Sequence, residues 1–231
     1  MSLRVRERLR LADAITLLNA VVGVIAMIAA VTEGPAVAAR LVLLAAVADG
    51  LDGIIARSRG GSEVGPILDS IADVVSFGAA PAMFLFALVR ETWGPLGPDP
   101  ALLAVTVAPA FVVLSIVRTA LYTVHVGENH KRPGIQNTLA ASILTVGFLA
   151  AGTAVPAETA AVVILGASPV LGLLMIAPIA YPKLADRDAL LMGIVQAAVI
   201  VSPDALGRVF PRVLLLAALA YMFLAPRFYW N

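Results

Sequence analysis

Residues 49–73 read Asp49-Gly50-Leu51-Asp52-Gly53-Ile54-Ile55-Ala56-Arg57-Ser58-Arg59-Gly60-Gly61-Ser62-Glu63-Val64-Gly65-Pro66-Ile67-Leu68-Asp69-Ser70-Ile71-Ala72-Asp73. Four Asp fall within this stretch, in a chain of 231 residues that is 61% hydrophobic and only 13% charged. An ordinary soluble domain carries about a quarter charged residues. Asp49 and Asp52 stand at i, i+3 and Asp69 and Asp73 at i, i+4, so each pair shares one face of a helix. Two such faces turned toward each other form an oxygen-lined box.

Working outward, apolar segments flank the stretch on both sides. Eight can be read, at about 14–31, 36–56, 66–89, 101–124, 135–156, 159–180, 189–202 and 209–226; all but the seventh are close to the roughly 20 residues that cross a bilayer as a helix, and the seventh is short, as a tilted or partial span would be. Glu33-Gly34-Pro35, Gly60-Gly61-Ser62, Gly94 to Pro100, His130 to Gly134, Pro182 to Asp188 and Pro203-Asp204 separate them, the residue types that stop helices and make turns. With a mean hydropathy of +0.96, the expectation is an all-α, polytopic transmembrane bundle of about eight spans. Residues 1–231 then form a single integral membrane domain, the first ten a basic cytoplasmic terminus, and any activity sits inside the membrane body. Soluble globular, disordered, coiled-coil and collagenous classes are excluded.

The basic residues orient the bundle. Twelve of the sixteen Lys and Arg fall on one side of the eight spans, and Arg40, Arg90, Arg208 and Arg212 on the other. The positive-inside bias makes the first side cytoplasmic, with both termini and the acidic stretch there, as expected of a multi-pass plasma-membrane protein whose site faces the cytoplasm. The absence of Cys removes disulfides, thiolate metal sites and Cys nucleophiles. A net charge of +1 and 6% aromatic residues speak against a nucleic-acid partner.

Ionised Asp is costly in a membrane, about 2.5 to 3.5 kcal/mol at a helix centre on insertion scales. Four together need compensation, from protonation or from divalent cations. Oxygen-only ligands favour hard ions, Mg²⁺ or Mn²⁺, with Ca²⁺ a third candidate, and a pair of ions is suited to phosphoryl-type transfer. Gly53 and Ala56 remove bulk on the Asp52 side of the helix, Gly65 does so ahead of Asp69, and Arg57 offers a planar fork suited to phosphate.

The spacing D-x2-D-G-x2-A-R, a short gap, then G-x3-D-x3-D resembles the signature of the membrane CDP-alcohol phosphotransferases, with all eight positions met by Asp49, Asp52, Gly53, Ala56, Arg57, Gly65, Asp69 and Asp73. The resemblance implies a six-helix core with about two extra helices and a homodimer. It implies that Asp49, Asp52, Asp69 and Asp73 hold two divalent ions, that Gly53 and Ala56 make room for the CDP nucleoside, that Arg57 contacts its diphosphate, and that Asp73 is the general base.

Two further stretches bear on the acceptor alcohol. Val74-Val75-Ser76-Phe77-Gly78-Ala79-Ala80-Pro81-Ala82 is similar to the S-F-G-x-A-P-A segment of the family's phosphatidylserine synthase branch, and Thr16, Asn19 and Gly23 look like its T-x2-N-x3-G, adding Thr16 and Asn19 to the expected CDP-binding set of Asp52, Gly53, Ala56, Arg57 and Gly65. The branch's R-L-A-R-F-N is met only in part at Arg118-Thr119-Ala120-Leu121-Tyr122-Thr123, and its G-L-P-x-P-A-A appears without prolines at Gly134 to Ala141, including Asn137. A serine zwitterion needs a cation for its carboxylate, for which Arg118 stands first and Lys131 and Arg132 second; Asn137 joins them as a candidate acceptor-binding residue. The expectation is transfer of the phosphatidyl-type group of CDP-diacylglycerol or CDP-archaeol to L-serine, releasing CMP. The alternatives are the same chemistry with glycerol 3-phosphate or inositol 1-phosphate, a membrane prenyltransferase, and a cation transporter using the Asp cluster as its ion site.

Overall fold

The computed structural model describes residues 9–94, 98–125, 132–182, 184 and 186–229. Eight helices run through the described residues: α1 (Leu11–Thr32), α2 (Pro35–Arg59), α3 (Gly65–Trp93), α4 (Pro98–His125), α5 (Asn137–Ala151), α6 (Ala157–Met175), α7 (Asp186–Val201) and α8 (Val209–Phe228). They match the eight apolar segments one for one. Six of them (α1, α3, α4, α5, α6 and α8) are long and apolar enough to cross a membrane, which makes the chain a multi-pass membrane protein. α2 is as long as the others, but any 18-residue window of it contains Asp49, Asp52 and at least one Arg. At 16 residues α7 reaches about 24 Å, short of the ~30 Å hydrocarbon core.

α1 shows how these helices are sided. Leu17, Leu18, Val21, Val24, Ile25 and Ile28 are exposed, while Asp13, Thr16 and Asn19 are buried. That polarity is the reverse of a soluble helix, and it is what lipid outside and polar partners inside require. Small residues let the helices approach closely. A Cβ on Gly23 would sit 2.5 Å from Ser76 Oγ, and one on Gly78 would sit 2.9 Å from Ser115 Oγ, so these positions seat α3 against α1 and α4.

α3 is not uniform. Its α-helical start, Gly65–Asp73, passes into a π-helical turn, Val74–Ala79, before α-helix resumes at Ala80–Trp93. Here the Ala80 amide donates to the Val75 carbonyl, five residues back. Pro81 has no N–H, which leaves the Phe77 carbonyl without its usual helical donor and eases the change of register.

The sixth apolar segment was expected to continue to about 180, but α6 stops at Met175. Residues 180–181 instead form a two-residue antiparallel pairing, Arg132 with Tyr181 and Pro133 with Ala180. Pro178 cannot continue a helix ladder, and Gly134, at φ +73°, donates to the Ile179 carbonyl at 2.8 Å. A Cβ on Gly134 would fall on the Met175 carbonyl oxygen.

At the end of α2 away from the acidic stretch, Arg208 ties three elements together. Its guanidinium donates to the Leu149 carbonyl at 2.8 Å and pairs with Asp204 at 2.6 Å. It thereby satisfies a carbonyl in the last turn of α5, which has no helical donor of its own. Arg40, Glu91 and Phe148 join Arg208 in lining a cavity of about 340 Å³ there.

Candidate active site

The second half of α2 and the first nine residues of α3 carry the acidic pairs, and the turn between the helices folds one face onto the other. One carboxylate oxygen from each of Asp49, Asp69 and Asp73 lies within 4.8 Å of the others. Thr138, in the first turn of α5, donates to Asp49 Oδ2 at 3.2 Å. Asp73 Oδ1 is buried and accepts no hydrogen bond. Asp52 stands apart from this triad: it is 5% exposed and accepts from Thr16 Oγ1 at 2.6 Å.

Three acidic oxygens this close repel one another unless a proton or a cation lies among them. The Arg118 charge acts on Asp73, but one guanidinium does not offset three carboxylates. The donor set is all oxygen, with one buried oxygen left unbonded, and it fits a hard divalent cation.

α1 forms the next wall. Asp13, Thr16, Asn19 and Gly23 make one buried stripe. Asn19 is fully buried and neither atom of its side-chain amide finds a partner, while its main-chain carbonyl accepts from Ser76 Oγ at 2.9 Å. Arg57 is exposed and lies along the bare backbone of Gly53, its Nη1 3.4 Å from where a Cβ would be; Ala56 is half-buried beside it.

On the far side of Asp73, Arg118 is 7% exposed, its guanidinium 4.5 Å from the Tyr122 ring centroid, close enough for a cation–π contact. Asn137 Nδ2 donates to Thr119 Oγ1 at 2.7 Å and to the Ser115 carbonyl at 3.4 Å. Its Oδ1 and the Ser115 hydroxyl are buried without partners. The structure thus gathers Thr16, Asn19, Asp49, Asp52, Gly53, Ala56, Arg57, Gly65, Asp69, Asp73, Arg118 and Asn137 at one end of the bundle. Lys131 and the Arg132 side chain lie outside the described residues.

Residues 9–182 match the family described as CDP-alcohol phosphatidyltransferase. The chain belongs to that family. Among its relatives, the archaetidylserine synthase of Methanothermobacter thermautotrophicus is 29% identical over 189 residues, covering 80% of this chain and 75% of that protein. The CDP-diacylglycerol-serine O-phosphatidyltransferase of Mycobacterium leprae is 38% identical over 109 residues, covering 47% of this chain and 35% of that protein. The enzyme of the same name from Methanocaldococcus jannaschii is 39% identical over 83 residues, covering 36% and 38%.

Within this family member, Gly65 and Thr16 each have a close neighbour on another helix. The close neighbour of Gly65 is Asp13, whose Oδ1 would lie 3.1 Å from a Cβ there, so the missing side chain makes room for α1. Thr16 spends its hydroxyl on Asp52, which gives it a carboxylate to aim. Asp13 itself was not singled out from the sequence. Its signal was a position one turn ahead of Thr16, on the same helical face.

Proposed function

We propose that this protein transfers the phosphatidyl-type group of a CDP-activated lipid, CDP-diacylglycerol or CDP-archaeol, to the hydroxyl of L-serine and releases CMP. The observation that carries the reading is the Asp49, Asp69 and Asp73 oxygen cluster formed by the two halves of the family signature. Serine as acceptor is supported by the names of the relatives.

Asp49, Asp52, Asp69 and Asp73 hold two divalent cations, Mg²⁺ or Mn²⁺, in this reading. When bound, the ions offset the carboxylate charge and neutralise the diphosphate. Thr16 keeps Asp52 in place, Arg57 takes the diphosphate with its fork, and Gly53 and Ala56 leave the flat surface against which the nucleoside lies. The Asn19 amide, buried with its donors and acceptor unspent, is completed by the CDP portion. On the acceptor side Arg118 pairs with the serine carboxylate, and the open Oδ1 of Asn137 accepts from the ammonium. Lys131 and Arg132 help draw the amino acid in.

Asp73 Oδ1 accepts the serine hydroxyl proton. The serine oxygen forms a bond to the lipid-bearing β-phosphorus as the bond from that phosphorus to the bridging oxygen breaks, and CMP leaves with the bridging oxygen. The whole chain acts as one membrane domain of a plasma-membrane homodimer. The site faces the cytoplasm, as the basic residues at its end favour, and the acyl or isoprenoid chains lie between helices among membrane lipids.

The test is CMP release by purified protein given ester or ether CDP-lipid, Mg²⁺ or Mn²⁺, and a panel of alcohols. Release with serine is expected. Release only with glycerol 3-phosphate or inositol 1-phosphate overturns the acceptor. Metal flux into proteoliposomes without nucleotide turnover overturns the transferase.

A further inference from the structure

The signature's two halves are joined by Gly60-Gly61-Ser62-Glu63-Val64, a loop with little to hold it. A Cβ at Gly60 or Gly61 would meet nothing within 4 Å. Among the described residues, one side-chain hydrogen bond ties this loop to another helix: Ser62 Oγ donates to Asp13 Oδ1 at 2.9 Å. The other oxygen of the same carboxylate accepts from the Arg10 main-chain N–H at 2.5 Å, closing the first turn of α1. Ser62 in turn stands against the start of α3, where the Gly65 amide donates to its carbonyl at 3.3 Å.

Asp13 is 1% exposed and makes no ion pair among the described residues. Burying a carboxylate with only neutral donors is expensive, and closing a helix turn does not require it, since an exposed cap serves as well. The extra feature at this position is the loop. One turn further along the same stripe, Thr16 grips Asp52, so α1 holds the α2 half of the signature through Thr16 and the loop and α3 half through Asp13.

We infer that Asp13 is a positioning residue for the nucleotide end of the site, holding the 60–64 loop and the first turn of α3 against α1 so that the two acidic pairs stay in register. It touches neither the reacting atoms nor the acidic triad; it acts through Ser62. The inference rests on the transferase reading above.

The experiment uses the full chain carrying Asp13→Ala, Ser62→Ala, the double variant and Ser62→Thr. For each, kcat, the KM for CDP-lipid, the KM for serine, Tm and the rise in Tm on adding CDP with Mn²⁺ are measured. Each single Ala variant is expected to raise the KM for CDP-lipid about tenfold, the effect of one hydrogen bond to a charged group, while the KM for serine stays put. The double variant is expected to be no worse than either single, and Ser62→Thr, which keeps the hydroxyl, to stay near wild type. An unchanged KM for CDP-lipid with a lower Tm assigns Asp13 to helix capping alone and overturns the inference, as does a double variant whose KM is the product of the singles. If Asp13→Ala does not fold, Ser62→Ala and Ser62→Thr decide by the same KM criterion. If wild type releases CMP with no alcohol, the transferase reading has failed, and the CDP–Mn²⁺ rise in Tm decides instead: a smaller rise in Ser62→Ala supports the inference and an equal rise overturns it.

Discussion

Asp73 is set apart from the other signature carboxylates by its buried, unbonded Oδ1, and variants at single residues separate its role from theirs. Asp73→Asn is expected to abolish CMP release while CDP-lipid binding remains detectable, whereas Asp49→Asn weakens metal and nucleotide binding as well; parallel turnover and binding measurements distinguish the two. Near-normal turnover in Asp73→Asn removes it as the base. Thr16→Val leaves the shape of the residue and removes its hydrogen bond to Asp52. An increase of about tenfold in the KM for CDP-lipid is expected, as for the loss of one hydrogen bond to a charged group. The four signature Asp were legible because their spacing is periodic and their chemistry is out of place in an apolar chain. Asp13 was not, because a lone acid in the first turn of a helix is what ordinary capping also produces. Only its burial and its bond to Ser62 separate the two.

Among the elements, α3 departs furthest from a plain reading. The apolar run placed its start within one residue but stopped four short of Trp93, and nothing in that pattern marks the π turn at Val74–Ala79, since hydrophobicity counts residues and not hydrogen-bond register. The clue lay in Gly78 and Pro81. Because a Cβ on Gly78 would meet Ser115 Oγ at 2.9 Å, Gly78→Ala is expected to destabilise the protein by about 1 to 3 kcal/mol, the usual cost of overpacking. Gly166, in the interior of α6, has open space where its Cβ would be, so Gly166→Ala is expected to leave stability unchanged or raise it slightly, by about 0.4 to 1 kcal/mol. Thermal unfolding of both variants checks the pair, and equal losses would discount the close approach. The end of α6 was misplaced for a related reason: Ile176 to Tyr181 is apolar, and whether such a run ends as helix or as a paired strand is decided by Gly134, some forty residues away in sequence.

For the molecule as a whole, the alternation of eight helices predicts sidedness. The chain has no Cys, so single replacements report cleanly. Ser58→Cys, near the end of α2, and Thr153→Cys, just beyond α5, are expected to react with impermeant thiol reagents from opposite faces of sealed vesicles. Labelling of both from one face would contradict the alternation. Chelation by EDTA is expected to end CMP release and lower Tm, with Mg²⁺ or Mn²⁺ restoring both; a Tm indifferent to metal would argue against an ion among Asp49, Asp69 and Asp73. The class and the number of helices were readable from hydropathy because a bilayer imposes a length and a polarity on every crossing; which of the eight helices are long and apolar enough to cross was not, since six meet that standard where about eight spans were expected. The acceptor side was less so, since Ser115, Thr119 and Asn137 come together only through helix packing. The reversed siding of α1 carries one more consequence. With Asp13, Thr16 and Asn19 turned inward and Leu17, Val21, Ile25 and Ile28 outward, the middle of this helix presents an apolar face that calls for lipid as its outer layer, and a poor lipid mimic is expected to loosen the wall that carries Asp13 and Thr16 before it reaches the carboxylates themselves.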